Sequence, residues 1–169
     1  MLLFDQQLPQ TDIFGALRLA LMTVLGEIEV IKGISNRVPQ PNNNYIAMIP
    51  IMIDRLSTNA SVYNEATGNQ ITRQEGQDND YTIQLDFYGN NSSNNAIIIH
   101  SLWRSDYLFQ FGITPMYASS PRQLFFKGGE NQMIERWIMD VHLYYNPKII
   151  LPQESANKLD SPTAYPVIG

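Results

Sequence analysis

The stretch from Tyr45 to Arg55, YIAMIPIMIDR, limits the folds open to this chain more than any other. A surface strand buries one face and wets the other, so its sequence alternates. Here both alternating sets are apolar. Tyr45, Ala47, Ile49, Ile51 and Ile53 form one, and Ile46, Met48 and Met52 form the other. Pro50 has no N–H to give to a ladder, which restricts the strand to an edge or a bulge. Cover is needed on two sides. The segment before it, Asn36 to Asn44, is polar, and its prolines bias Val38 and Gln40 toward extended geometry.

The rest of the chain offers partners. Ile13, Phe14, Leu17, Ala20, Leu21, Val24 and Leu25 recur at helical spacing, with Thr11 and Asp12 as caps and Gly26 as a stop. This predicts a helix over 12–25, followed by a short strand from Ile28 to Ile31. Tyr81 to Tyr88 has an unambiguous period of two and reads as a strand. NNSSNN caps a second helix, expected over Ser93 to Phe109. Gly112 to Ser120 reads as a connector. Gln123 to Lys127 and Gln132 to Tyr145 read as strands joined by a turn at Lys127-Gly128-Gly129-Glu130. Residues 56–79 have no hydrophobic period and are either a long loop or a hairpin arm, since structureless loops of that length are rare in compact domains. Asn146-Pro147 ends the last strand. The expectation is a single α+β domain over 1–147, with an antiparallel or mixed sheet and two helices on one face, and an extended tail over 148–169.

Composition narrows the function. At 169 residues the chain is the size of one domain, and its 44% hydrophobic content suffices for a core. The opening MLLFDQQLPQ lacks the basic start and apolar centre of a signal peptide. No apolar run approaches the roughly 20 residues of a membrane helix. These features predict a soluble chain made in a cytoplasm, without membrane contact. A net charge of −5 argues against general nucleic-acid binding. Charged residues make up only 16%, against roughly 25% in typical soluble domains, while Asn and Gln fill about one position in six. Uncharged amides are covered by partners without the cost of desolvating ions.

The residues that carry chemistry are sparse. With no cysteine there is no disulfide and no thiolate metal site. His100 and His142 belong to no metalloprotease motif, and Asp78-Asn79-Asp80 lacks the rest of a calcium loop. Gly128-Gly129 lacks the lysine of a phosphate loop. Asp54, Asp86, Glu135 and Asp140 lie on or near strands in a spacing that favours no carboxylate pair. No catalytic, metal or cofactor residues emerge. Arg104, Arg122 and Arg136 read as local ion pairs or subunit contacts.

Six segments in order, NRVPQP, YTIQLDFYG, SLWRSDY, PMYASSPRQ, GGENQMIERW and YNPKIILPQESA, give the chain a likeness. It resembles the neck terminator or tail-completion proteins of tailed bacteriophages, a family of small contractile-tailed phages, from about Phe14 to Pro166. The pattern is thin at Thr58 to Asn79 and after Leu159. The resemblance implies a structural, non-enzymatic virion protein without cofactors, assembled in the host cytoplasm. It implies a ring, usually a hexamer, that terminates the tail. Neck or connector proteins would lie on the head side, with tail tube and sheath proteins on the tail side. DNA would pass through the centre without specific binding. The alternatives are another head-completion adaptor or tube-end protein, or a small carboxylate-dependent enzyme or carbohydrate-binding domain.

A ring needs one patch that meets a different patch on the next copy. That requirement suggests what covers the second face of the opening strand. One face packs on the helices. The other, with Ile46, Met48 and Met52, meets the hairpin arm or the neighbouring subunit, or else the second helix covers it within the monomer, and Ile51 joins the same expected contact set. Pro39 and Pro41 fix an extended approach at low entropic cost, Arg37 is placed to pair with a carboxylate across the interface, and Arg55 and Arg122 complete the expected contact set.

Overall fold

The computed structural model describes residues 5–7, 10–26, 28–33, 41, 44–65, 71–127 and 133–153. Arg37, Pro39, most of the proline segment, the turn at 128–130 and the tail beyond 153 lie outside the described residues. The elements in chain order are β1 (Asp5–Gln7), α1 (Gln10–Leu25), β2 (Glu29–Lys32), β3 (Tyr45–Arg55), β4 (Ala60–Glu65), β5 (Ile71–Gly76) and β6 (Asn79–Tyr88). There follow α2 (Ser92–Leu102), a 3-10 helix (Asp106–Phe111), β7 (Pro115–Ala118), β8 (Arg122–Lys127), β9 (Met133–Tyr145) and β10 (Lys148–Gln153). No helix among the described residues is long and apolar enough to cross a membrane.

The body sheet runs β2-β3-β6-β9, with β7 and β8 end to end along the outer side of β9. Among the described residues only β2 and β3 pair in parallel; the rest of this sheet is antiparallel. The core lies between one face of this sheet and the two helices. Phe14, Leu17, Ala20 and Leu21 of α1 and Ala96, Ile99 and Trp103 around α2 pack on Ile46, Met48, Ile83, Leu85, Phe87, Met139 and Val141. Burial of each such side chain contributes about 1.5–3 kcal/mol, so this layer dominates the stability of the body. Polar contacts fix the helices in place. Arg18 donates to the Val30 carbonyl at 3.1 Å, and the Trp103 indole N–H donates to the His142 carbonyl at 3.1 Å.

The arm expected at 56–79 is the β4–β5 hairpin, and it belongs to a second sheet, β1-β10-β5-β4. This sheet grows from the first. β3 continues into β4, β5 into β6 and β9 into β10, each across a break of two to four residues. Lys148–Gln153, expected in the extended tail, pairs with β5.

Three other expectations change. Thr11 and Asp12 lie in the first turn of α1 rather than before it. The second helix stops at Leu102, with Trp103 as its cap, and the chain reforms as the 3-10 helix capped by the Ser105 hydroxyl, which accepts from the Tyr107 N–H. The 112–120 connector contains β7.

Candidate functional site

β3 changes character at its proline. Pairing with β6 slips between Pro50 and Met52, and Ile51 is the extra residue. A one-residue bulge reverses which face each later side chain meets. Ile46 and Met48 lie opposite Phe87 and Leu85 on the helix side, while Met52 lies opposite Thr82 on the other side. Strict alternation over 45–53, which puts Met52 with Ile46 and Met48, fails for this reason.

The bulge divides the strand by exposure as well. Ile46 and Met48 are 0% and 2% exposed within a single copy. They are core residues, which corrects their placement in the contact set: the chain's own helices cover that face. Ile51, Met52 and Ile53 are 49%, 47% and 40% exposed, and Leu56 beyond them is exposed too. Among the described residues β2 pairs only with Tyr45–Met48, and the outer half of β3 is there a sheet edge. β4 continues this edge with Val62 and Tyr63 exposed. Pro41 is half-buried. Arg55 closes the exposed end of β3. With the Gln77 amide oxygen turned toward it, its guanidinium donates to Gln77 at 3.1 Å. Arg122, at the start of β8, is mostly exposed and reaches Asp140 only at 3.9 Å. The sequence pattern thus reaches Ile51 and Met52 but misses Ile53, Leu56, Val62 and Tyr63. The signal for Ile53 and Leu56 is the continued apolar run toward a polar segment with no cover of its own.

The breaks between the two sheets meet at one carboxylate. Asp78, between β5 and β6, accepts from Ser57 Oγ at 3.1 Å, from Asn146 Nδ2 at 2.7 Å and from the Tyr144 hydroxyl. Each donor lies at or beside another break. The Tyr144 hydrogen bond is the main cause that holds the Asp78 carboxyl below the ordinary carboxylate range; Ser57 and Asn146 act in the same direction against partial desolvation. The Leu56 N–H also donates to the Asp78 carbonyl at 2.9 Å. The arm is therefore latched to the body at Asp78.

The carboxylates and histidines have structural partners. Asp86 is fully buried and accepts from Arg136 Nη2 and Gln84 Nε2, both at 2.6 Å, and from the Tyr88 hydroxyl at 3.4 Å. Burial first, and the Asp86 charge second, push the Tyr88 hydroxyl up to about 12. Glu135 accepts from the Trp137 indole at 3.0 Å. Asp54 lies across from Asp80 on neighbouring strands. His142 Nδ1 contacts Asp80 at 2.9 Å and Thr82 at 3.1 Å, and its ring stacks on Tyr117 at 3.9 Å. His142 points away from the helices, whereas His100 is on α2, so the sheet keeps the two histidines apart. An apolar cavity of about 350 Å³ opens between α1, the 3-10 helix and β9. Ile13, Ala16, Phe111 and Leu143 are among its lining, which contains no charged side chain or histidine. Among the described residues no three His, Asp or Glu side chains group as a metal site.

What stands out is the exposed apolar outer half of β3. Among curated proteins no match to the chain is found. The sequence model of the phage neck terminator proteins matches residues 11–166, which takes in both helices, the body sheet and the arm hairpin. On that match over most of its length, the chain belongs to the phage neck terminator protein family, a structural part of the virion neck.

Proposed function

We propose that copies of this chain form a closed ring, a hexamer, that terminates the tail and joins it to the connector below the head. The observation that carries this reading is the outer half of β3. Ile51, Met52, Ile53 and Leu56 are exposed along a sheet edge in one copy. A patch of this kind marks a contact surface. Joined to a different patch on the next copy, it makes the heterologous contact that builds a ring. The family supplies the place, the phage neck.

The acidity has a use in this setting. Six copies at −5 each carry roughly −30 per ring. Where part of that charge faces the channel, it repels DNA phosphates, so the genome slides through without sticking. The arm, latched at Asp78, is suited to reach the ring above or below. Neck and connector proteins lie on one side, and tail tube and sheath proteins on the other.

Cryo-electron microscopy of particles that carry this chain tests the reading. Six copies in one ring between connector and tail tube are expected. The chain at another position, such as within the connector or at the far end of the tube, overturns it in favour of a different completion protein.

A further inference from the structure

Among the described residues both edges of the combined sheet are open in one copy, and they match each other level by level. One edge is the outer half of β3, continued by β4. The opposite edge, at the same heights, is β7 on the body and β1 on the arm. The strand registers connect them in rows. Met52, Thr82, His142 and Tyr117 form one row across the body, and Ile53, Tyr81, Leu143 and Pro115 form the next. On the arm, Ser61, Glu75, Ile149 and Gln6 form a row, as do Val62, Gln74, Ile150 and Asp5.

Direction agrees as well. β3, β6, β9 and β7 are successively antiparallel, so β3 and β7 run in opposite senses. The same count through β4, β5, β10 and β1 sets β4 opposite to β1. A second copy turned about an axis along the strands brings its β7 beside β3 and its β1 beside β4. Both new pairs are antiparallel and level. Neither requires a shift along the strands, so one rotation satisfies both contacts.

The side chains suit burial. Exposed edges are ordinarily guarded by lysine, proline or inward charge. Residues 51–53 instead expose Ile51, Met52 and Ile53, and β7 exposes Met116 (39%) and Tyr117 (50%). On the body half of the join, apolar groups meet apolar groups; on the arm half, the polar Asp5, Gln6 and Gln7 lie level with β4. Pro115 is the first residue of β7, where its missing N–H costs a ladder least.

We propose that neighbouring copies join by strand addition, the β3–β4 edge of one against the β7–β1 edge of the next, so that one sheet runs continuously from copy to copy. The occupant of the open edge is a second copy of this chain. The inference rests on the ring reading above and names the contact that closes the ring. The β7–β1 edge supplies four residues from β7 and three from β1, which at about 3.3 Å each give roughly 23 Å of paired strand.

The test uses the absence of native cysteine. Met52→Cys and Tyr117→Cys in one chain place the two thiols in the same row of adjacent copies, within disulfide reach for a cross-strand pair. Oxidised rings, formed by concentrated chain or isolated from particles, are expected to give a covalent ladder on a non-reducing gel. Neither single variant should exceed a dimer. In the unmodified chain, backbone amides at 51–55, 60–64 and 116–118 are expected to exchange hydrogen about tenfold more slowly, or slower still, in the ring than in the free monomer. This second measurement needs no variant to fold. Rings that give no ladder and show unchanged exchange at these amides overturn the strand-addition join and leave the ring reading intact. A dimer from Met52→Cys alone, with no ladder from the pair, also overturns it, because β3 would then meet β3. Particles with no ring of this chain at the neck sink the ring reading and the join together.

Discussion

Arg136 and Asp86 face each other across β9 and β6 at 2.6 Å, and the carboxylate of the pair has no exposure to solvent. The pair lies on the sheet face away from the helices. Gln84 and Tyr88 fill further acceptor positions of the carboxylate, and the Tyr45 ring stacks on Tyr88 at 4.4 Å. A carboxylate this fully engaged acts as a structural anchor. It has no free oxygen directed to a substrate, although Asp86 is one of the four carboxylates on which an enzymatic reading would rest.

Breaking this pair from one side should cost more than removing both charges. Arg136→Met leaves a buried carboxylate without its cation, and Asp86→Asn leaves a largely buried cation without its anion. Each is expected to lower unfolding free energy by about 3–5 kcal/mol. The double variant should lose less than the sum of the two by at least about 1 kcal/mol. Urea unfolding of the four chains checks this. Additive losses would show that the two side chains act independently.

Gly89 ends β6 with φ at +100°, and a Cβ built there overlaps Asn44 Oδ1 and meets the Asn44 Cα at 3.1 Å. Gly112 also has positive φ, at +75°, but a Cβ placed there meets nothing within 4 Å. The comparison separates backbone strain from steric conflict. Gly112→Ala should cost about 1 kcal/mol through φ alone. Gly89→Ala should cost clearly more, up to about 3 kcal/mol, because Asn44 must also move. Thermal unfolding of the two variants gives the order, and equal losses would refute the crowding at Asn44.

Local pattern makes most of the body legible. The alternation of Tyr81 to Tyr88, the helical spacing of α1 and the apolar face of β9 each carry a period that one element fixes by itself. Two features lie beyond such reasoning. The bulge at Ile51 depends on the pairing of β3 with β6, and no local residue except Pro50 hints at it. The second sheet depends on β10 crossing to β5, a contact between segments about 75 residues apart. β1, β4 and β5 are short and mostly polar, and β10 is a short run, Ile149-Ile150-Leu151-Pro152, without alternation, so pairing rather than period makes them strands. The proposed contact residues divide the same way. Ile51 and Met52 are visible as apolar positions, but that Ile46 and Met48 belong to the core requires the helices to be in place.

Asp78 links the arm to the body through hydrogen bonds from Ser57, Tyr144 and Asn146. Its carboxyl lies below the ordinary range, mainly through the Tyr144 hydroxyl. A depressed carboxylate stabilises the folded state fully above its unfolded pKa of about 4, and the contribution fades as pH falls through the lower folded value. Wild type and Asp78→Asn should therefore differ most in urea midpoint near about pH 7, with wild type the more stable. The difference should shrink toward about pH 3. A gap that stays constant across this range would remove Asp78 as the titrating latch.

Aspartate at two positions of β3 should separate folding from assembly. Met48 is 2% exposed and packs with the helix layer, so Met48→Asp places an unpaired carboxylate in the core. A change of that type costs several kcal/mol, a large share of the roughly 5–15 kcal/mol that holds a domain together. The expected result is an unfolded or aggregated chain with a lost thermal transition. Ile51 is 49% exposed on the bulge, where a carboxylate stays hydrated in the monomer. Ile51→Asp should fold with a thermal midpoint close to wild type. It should fail to form rings, because assembly would bury that charge against apolar groups of the next copy. Circular dichroism reports the first property, and mass photometry of the concentrated chain, together with the yield of joined particles, reports the second. A folded Ile51→Asp chain that still forms rings and joined particles would move the contact between copies away from the outer half of β3. Loss of the fold would mean instead that Ile51 helps hold the monomer together.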